Sequence, residues 1–156
     1  NLKVEIKEFN LNDFIDNLIE TYFNNEKDGR KIIVDKSEYE NNIQSDESLL
    51  THILNNLISN AFKYSVGSSN PMIRINYLKD KFKIEIIDFG IGIPELENKH
   101  LFQSFYRGSN TSTIKGSGLG LIIAKQFTEL LNGTISISSK VNEITTVTVT
   151  IPYKQN

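Results

Sequence analysis

Residues 72–78 and 82–87 each alternate apolar and polar side chains, with Lys79-Asp80-Lys81 between them. A period of two predicts two strands joined as a β-hairpin. A hairpin with one apolar face must be covered, and the rest of the chain supplies the cover. Residues 14, 15, 18, 19, 22 and 23 are apolar at helical spacing behind Asn12-Asp13, which reads as a helix with its cap. A second capped helix is expected from about Asp46 to Tyr64, and a third from Leu119 to Leu131, stopped by Asn132-Gly133. Further strands are expected at residues 2–9, 31–35, 134–138 and 145–151, the last two forming another hairpin. Three helices on one face of a mixed, mostly antiparallel sheet of about five strands give an α+β two-layer sandwich.

The length of 156 residues fits one domain spanning 1–156. With 17 basic against 19 acidic residues the net charge is −2, which argues against a general nucleic-acid binder. The absence of cysteine excludes thiolate catalysis, cysteine-ligated zinc, iron–sulfur clusters and disulfides. No apolar run approaches ~20 residues, and no basic-then-apolar leader opens the chain. A soluble piece is expected, and a start at Asn1 suggests one cut from a longer protein.

Three features stand out from this frame. On the second helix His52, Asn56, Asn60 and Lys63 form a polar stripe beside the apolar one. Asparagine is a poor helix former and needs partners when half buried. The stripe is either a solvated face or a set of hard neutral oxygens suited to Mg²⁺, with a lysine one turn on for a phosphate. At the end of the hairpin stands Asp88-Phe89-Gly90-Ile91-Gly92-Ile93-Pro94, either a tight turn or a carboxylate placed to accept a hydrogen bond from an amine, with glycines admitting a close approach. Its Asp-Phe-Gly matches the magnesium motif of eukaryotic-type protein kinases, but no HRD-type loop or Gly-rich strand pair precedes it. Finally, Gly116-Ser117-Gly118-Leu119-Gly120-Leu121 enters the third helix and can turn backbone N–H groups toward an anion. The spacing is neither that of a Walker loop nor that of a dinucleotide fingerprint.

Taken in order, Asn56-x-x-x-Asn60-Ala61-x-Lys63-Tyr64, Asp88-x-Gly90-x-Gly92-Ile93-Pro94, Leu101-Phe102-x-x-Phe105-Tyr106-Arg107 and Gly116-x-Gly118-x-Gly120-Leu121 resemble the N, G1, F and G2 boxes of the sensor histidine kinases. The resemblance covers nearly the whole chain. It implies the Bergerat ATP-binding fold, shared with gyrase, MutL and heat-shock chaperones, and ATP and Mg²⁺ as cofactors. By resemblance, Asp88 accepts the adenine amine and so selects ATP over GTP, while Gly90, Gly92 and Ile93 border the base. Asn60 ligates Mg²⁺ with Asn56 nearby, Lys63 meets the phosphates and Tyr64 packs near adenine. Residues from about 95 to 117 form a long mobile ATP lid, in which Arg107 and Lys115 are candidates for the γ-phosphate. Gly116, Ser117, Gly118, Leu119 and Gly120 hinge the lid and offer amides to the triphosphate. Asn60, Lys63 and Arg107 are the residues expected to act in catalysis. Phe102 is counted with the nucleotide contacts; with Phe105 it is either local core or a device that docks the lid on the domain carrying the target histidine.

The resemblance further implies phosphoryl transfer to a histidine in two-component signalling. It places the chain in the cytoplasmic part of a membrane-anchored bacterial kinase, with a response regulator as indirect partner. Hydrolytic relatives place a glutamate four residues before the first asparagine; here that position is His52. No histidine stands in an H-box, and His100 reads as a surface residue. The accepting histidine and its dimerisation segment are therefore expected upstream, leaving this piece monomeric. Two alternatives share the fold: a degenerate module that senses nucleotide, and a stand-alone anti-sigma-type serine kinase.

Overall fold

The computed structural model describes residues 3–65, 67, 69–91, 120–139 and 144–155. In chain order its elements are β1 (Lys7–Phe9), α1 (Leu11–Tyr22), β2 (Ile33–Lys36), β3 (Ile43–Ser45), α2 (Glu47–Lys63), β4 (Met72–Tyr77), β5 (Lys81–Asp88), α3 (Gly120–Leu130), β6 (Thr134–Ser138) and β7 (Thr145–Pro152). Five strands form the main sheet in the order β2-β4-β5-β7-β6. The β2–β4 pair is parallel and the other three are antiparallel, so the sheet is mixed as expected. β1 and β3 pair with each other in a separate two-stranded ribbon.

The central hairpin runs in register from Tyr77 opposite Phe82 to Met72 opposite Ile87. Its alternation is what buries Ile73, Ile75, Phe82, Ile84 and Ile86 on one side. Val147, Val149 and Ile151 extend that buried face across β7, while Arg74, Lys83, Glu85 and Thr148 occupy the intervening positions. The α2 stripe closes over it: Leu50, Ile53, Leu54, Leu57, Ile58 and Ala61 are all buried. Each fully buried leucine or isoleucine contributes about 1.5–3 kcal/mol relative to exposure, so this helix is held by its face rather than its propensity. The result is the α+β sandwich, with α2 packed against β5 and α3 against both α2 and β6. Among the described residues no helix is long and apolar enough to cross a membrane.

Several boundaries differ from the sequence expectation. The first helix is capped by Asn10, whose side-chain oxygen accepts from the Asp13 N–H at 3.0 Å. Asn12, expected as part of the cap, instead donates to the Ser37 carbonyl and accepts from the Tyr77 hydroxyl. Among the described residues of the alternating 2–9 segment only 7–9 are strand, because the partner β3 is three residues long. The last helix does stop at Asn132-Gly133 as expected, and there Asn132 takes the left-handed conformation, with φ of 60°. Gly133 is required for another reason: a Cβ there would lie 2.4 Å from the Thr150 carbonyl oxygen of β7.

Candidate functional site

Three segments remote in sequence meet at one edge of the sandwich: the last turns of α2, the end of β5 and the start of α3. On α2, Asn56 and Asn60 lie one turn apart and both are half-buried. Gly120, the first residue of α3, faces them. A Cβ built on it would stand 3.5 Å from Asn56 Oδ1, 3.6 Å from Asn60 Nδ2 and 3.8 Å from Asn60 Oδ1. Nothing there forces a glycine by crowding; its lack of a side chain leaves the two amides uncovered from that direction. Thus Gly120 of the third motif comes to the amide pair of the first, some sixty residues away.

Lys63 is the last residue of α2 and is exposed, where a cation also suits the helix dipole. Tyr64 caps the helix: its N–H donates to the Asn60 carbonyl at 2.9 Å. Its own carbonyl accepts from the Ile91 N–H at 3.1 Å, which ties the chain beyond β5 to the end of α2. Gly90 sits against the same peptide, so close that a Cβ would fall 2.0 Å from the Tyr64 carbonyl oxygen and 2.8 Å from Ser65 Cα. The close approach that this glycine permits is therefore made by the chain's own backbone.

Asp88 ends β5 and is only 6% exposed. Burial pushes its carboxyl up to about 6 from 3.8, partly opposed by the Gly90 N–H, which donates to Oδ1 at 3.1 Å. Among the described residues the Gly90 N–H is the one donor to this carboxylate. His52 is exposed and stands edge-on to Phe127 of α3, with ring centroids 5.6 Å apart. It joins the two helices and is not part of the amide pair's surroundings through any hydrogen bond among the described residues. Gly92, Ile93, Phe102, Arg107, Lys115, Gly116, Ser117, Gly118 and Leu119 lie outside the described residues, as do His100 and Phe105.

Two residues at this edge carried no sequence signal. Arg30, in the turn after α1, reaches the carbonyls of Phe62 and Ser65, and the buried Ser65 hydroxyl accepts from it as well. Arg30 stands in an Asp28-Gly29-Arg30 turn, with Gly29 at φ 81°, and nothing local announces partners 32 and 35 residues away. Asn55, next to Asn56, has its side-chain oxygen buried with no hydrogen-bond partner among the described residues.

Among the described residues no group of three or more histidine, aspartate or glutamate side chains is placed to hold a metal ion. The donors on offer are the neutral amide oxygens of Asn56 and Asn60. That set fits Mg²⁺ held by one or two protein oxygens together with substrate phosphates, not an all-protein cage.

A buried acid at a strand end, an amide pair on the covering helix and a glycine-led helix facing that pair thus stand on one α+β sandwich. The family model described as histidine kinase-, DNA gyrase B- and HSP90-like ATPase matches residues 45–155, and the chain belongs to that family. Sensor histidine kinase YvrG of Bacillus subtilis is 34% identical over 150 residues, which are 95% of this chain and 26% of that protein. Sensor histidine kinase WalK of the same species is 38% identical over 117 residues, 72% of this chain and 19% of the relative. The chain therefore spans a minor part of the curated relatives it matches. Full-length ShkA in complex with AMPPNP superposes with a TM-score of 0.85 at 17% identity, covering 99% of this chain and 32% of that one. The nucleotide-free catalytic domain of histidine kinase ThkA gives 0.79 at 23% identity, covering 96% and 99%. These two likenesses establish the shared fold.

Proposed function

We propose that this chain binds Mg-ATP and is the catalytic domain of a sensor histidine kinase, transferring the γ-phosphoryl group to a histidine on an adjoining dimerisation segment of its parent protein. The observation that carries the proposal is the meeting of Gly120 with Asn56 and Asn60 on the helix whose end seats Gly90 and Ile91, just past the buried Asp88. A base at Asp88 and a triphosphate at the amide pair would then lie on one continuous edge.

In this reading the Asp88 carboxylate accepts the exocyclic amine of adenine. Guanine presents a carbonyl at that position, which would leave two acceptors facing each other and a buried charge without its donor. Tyr64 borders the base. Asn60, with Asn56 beside it, offers an amide oxygen to the metal, and Lys63 and Arg107 neutralise phosphate charge. Lys115 and the glycine run through Gly120 complete the triphosphate contacts. Bound Mg²⁺ would supply charge neutralisation of the phosphates.

In the transfer itself the bond between the γ-phosphorus and the bridging oxygen breaks, ADP departs with that electron pair, and an imidazole nitrogen forms the new P–N bond. Neutral imidazole is nucleophilic near pH 7 and needs little activation. His52, edge-on to Phe127 where hydrolytic relatives carry a glutamate, favours transfer over hydrolysis and over the anti-sigma-type serine kinase.

The test is calorimetric titration of the chain with ATP and with GTP in Mg²⁺, alongside Asp88→Ala. ATP binding that GTP does not share, lost in the folded variant, is the expected result. Unchanged ATP affinity in Asp88→Ala would refute the adenine contact, no uptake by the wild-type chain would refute the nucleotide reading, and uptake without transfer of label would favour the degenerate module. A phosphoryl label appearing on an added histidine-bearing segment tests the transfer.

A further inference from the structure

Arg30 takes no part in the contacts proposed above, yet its side chain is only 12% exposed and each arm of its guanidinium is engaged. Nε donates to Asp28 Oδ2 at 2.6 Å; Nη1 donates to the Ser65 carbonyl at 3.0 Å and to Ser65 Oγ at 2.7 Å; Nη2 donates to the Phe62 carbonyl at 2.9 Å. Its Cζ lies 5.2 Å from the centre of the Phe62 ring, which stacks in turn on Phe23. The Arg30 N–H donates to Asp28 Oδ1, and this contact is the largest influence holding the Asp28 carboxyl below its ordinary value.

A helix leaves its last carbonyls without partners inside the helix. At the end of α2 they are divided among three claimants. Arg30 takes those of Phe62 and Ser65, and the buried Ser65 hydroxyl donates to Ala61. The Tyr64 carbonyl lies between these held residues and accepts the Ile91 N–H, with Gly90 pressed against the same peptide. Two residues before Gly90 stands Asp88. One guanidinium thus fixes the surface on which the loop after β5 is seated.

We propose that Arg30 is a positioning residue of the nucleotide site. By holding the carbonyls of Phe62 and Ser65 it sets where Gly90 and Ile91 dock, and so sets the separation between Asp88 and the Asn56–Asn60 pair. The proposal rests on the nucleotide reading given above. Its chemistry is particular to arginine: a planar fork reaches acceptors on three residues at once, whereas a lysine carries the same charge on one point. The consequence is a ligand-length effect. Adenosine needs only the base end, while ATP must reach both ends at one fixed spacing, and misplacement penalises the ligand that spans them.

Arg30→Lys, Arg30→Ala and the milder Ser65→Ala would be made in the 156-residue chain, with circular dichroism verifying that each is folded. Hydrogen exchange would be followed at the Ile91 amide, with the mid-strand amides of Ile84 and Glu85 as internal controls. Calorimetry with Mg²⁺ would give ATP and adenosine affinities. In Arg30→Lys the expected results are Ile91 exchange faster by about tenfold with the controls unchanged, ATP weaker by about tenfold, and adenosine within about twofold. Arg30→Ala should match or exceed this, and Ser65→Ala should fall between it and wild type. A purely structural role would lower the melting temperature and leave the ratio of ATP to adenosine affinity untouched, which would overturn the proposal. Unchanged Ile91 exchange would overturn it whatever the affinities did. If the wild-type chain takes up neither ligand, the nucleotide reading itself fails, and the positioning role falls with it; that control is read before any variant.

Discussion

The two ends of β5 are built on opposite principles. At its start Phe82 lies against Tyr153, within a stack in which Tyr39 and Tyr77 are 4.0 Å apart at 5° and Tyr39 and Tyr153 are 5.4 Å apart at 16°. The polar tips of that stack are spoken for: the Tyr77 hydroxyl donates to Asn12 and the Tyr153 hydroxyl to the Leu78 carbonyl. Burial, with the neighbouring phenols, pushes Tyr77 above its ordinary range and Tyr153 up to about 12, so both phenols stay protonated well above neutrality. At its finish the same strand buries Asp88 with one hydrogen bond from Gly90 among the described residues and a pKa raised to about 6. One end satisfies its own groups, and the other holds an acceptor in reserve. In the function proposed above, the strand is a structural member along seven residues and a recognition element at the eighth.

That contrast is open to attack first at Gly90. In Gly90→Ala the new Cβ would meet the Tyr64 carbonyl oxygen, a backbone atom that cannot swing aside. A loss of about 3 kcal/mol in chemical denaturation is expected, together with loss of ATP binding. Wild-type stability in this variant would mean that the docked loop is not part of the fold's framework.

The next test uses pH. A carboxyl raised from 3.8 to about 6 means that the folded state holds its proton more tightly than the unfolded state does. Stability of the unliganded chain should therefore fall as pH rises through the window from about 4 to about 6, by about 2–3 kcal/mol, with the full penalty present above it. ATP affinity should move the other way, rising as the carboxylate forms. Asp88→Asn should flatten both profiles, leaving the free protein more stable at neutral pH and weaker toward ATP. A stability profile identical to wild type would show that the acid is not strained by burial.

The smallest effect is expected at the aromatic end. Tyr77→Phe removes the hydroxyl that Asn12 accepts and leaves the stack, which should lower stability by about 1 kcal/mol in thermal unfolding. ATP affinity should stay within about twofold. A larger change in affinity than in stability would join the two ends that the contrast separates.

Periodic segments were legible in the sequence. The central hairpin and α2 are long enough for alternation and a helical stripe to be unambiguous, and Asp46 and Lys63 bound α2 to within a residue of expectation. Cooperative tertiary choices were not. Asn10 rather than Asn12 caps α1 because Asn12 is drawn away to Ser37 and Tyr77, contacts that no local pattern encodes. β3 has three residues and no period to read. At the candidate site the residue types were visible, and their ordered spacing pointed to the family. The purpose of Gly90 and the reach of Arg30 were not visible, since both depend on backbone brought from another element.

The bond from Ile91 to the Tyr64 carbonyl has a kinetic side. α2 cannot satisfy its final turn from its own residues, and the loop after β5 has no seat until that turn exists. The two are therefore one cooperative unit that closes or frays as a whole.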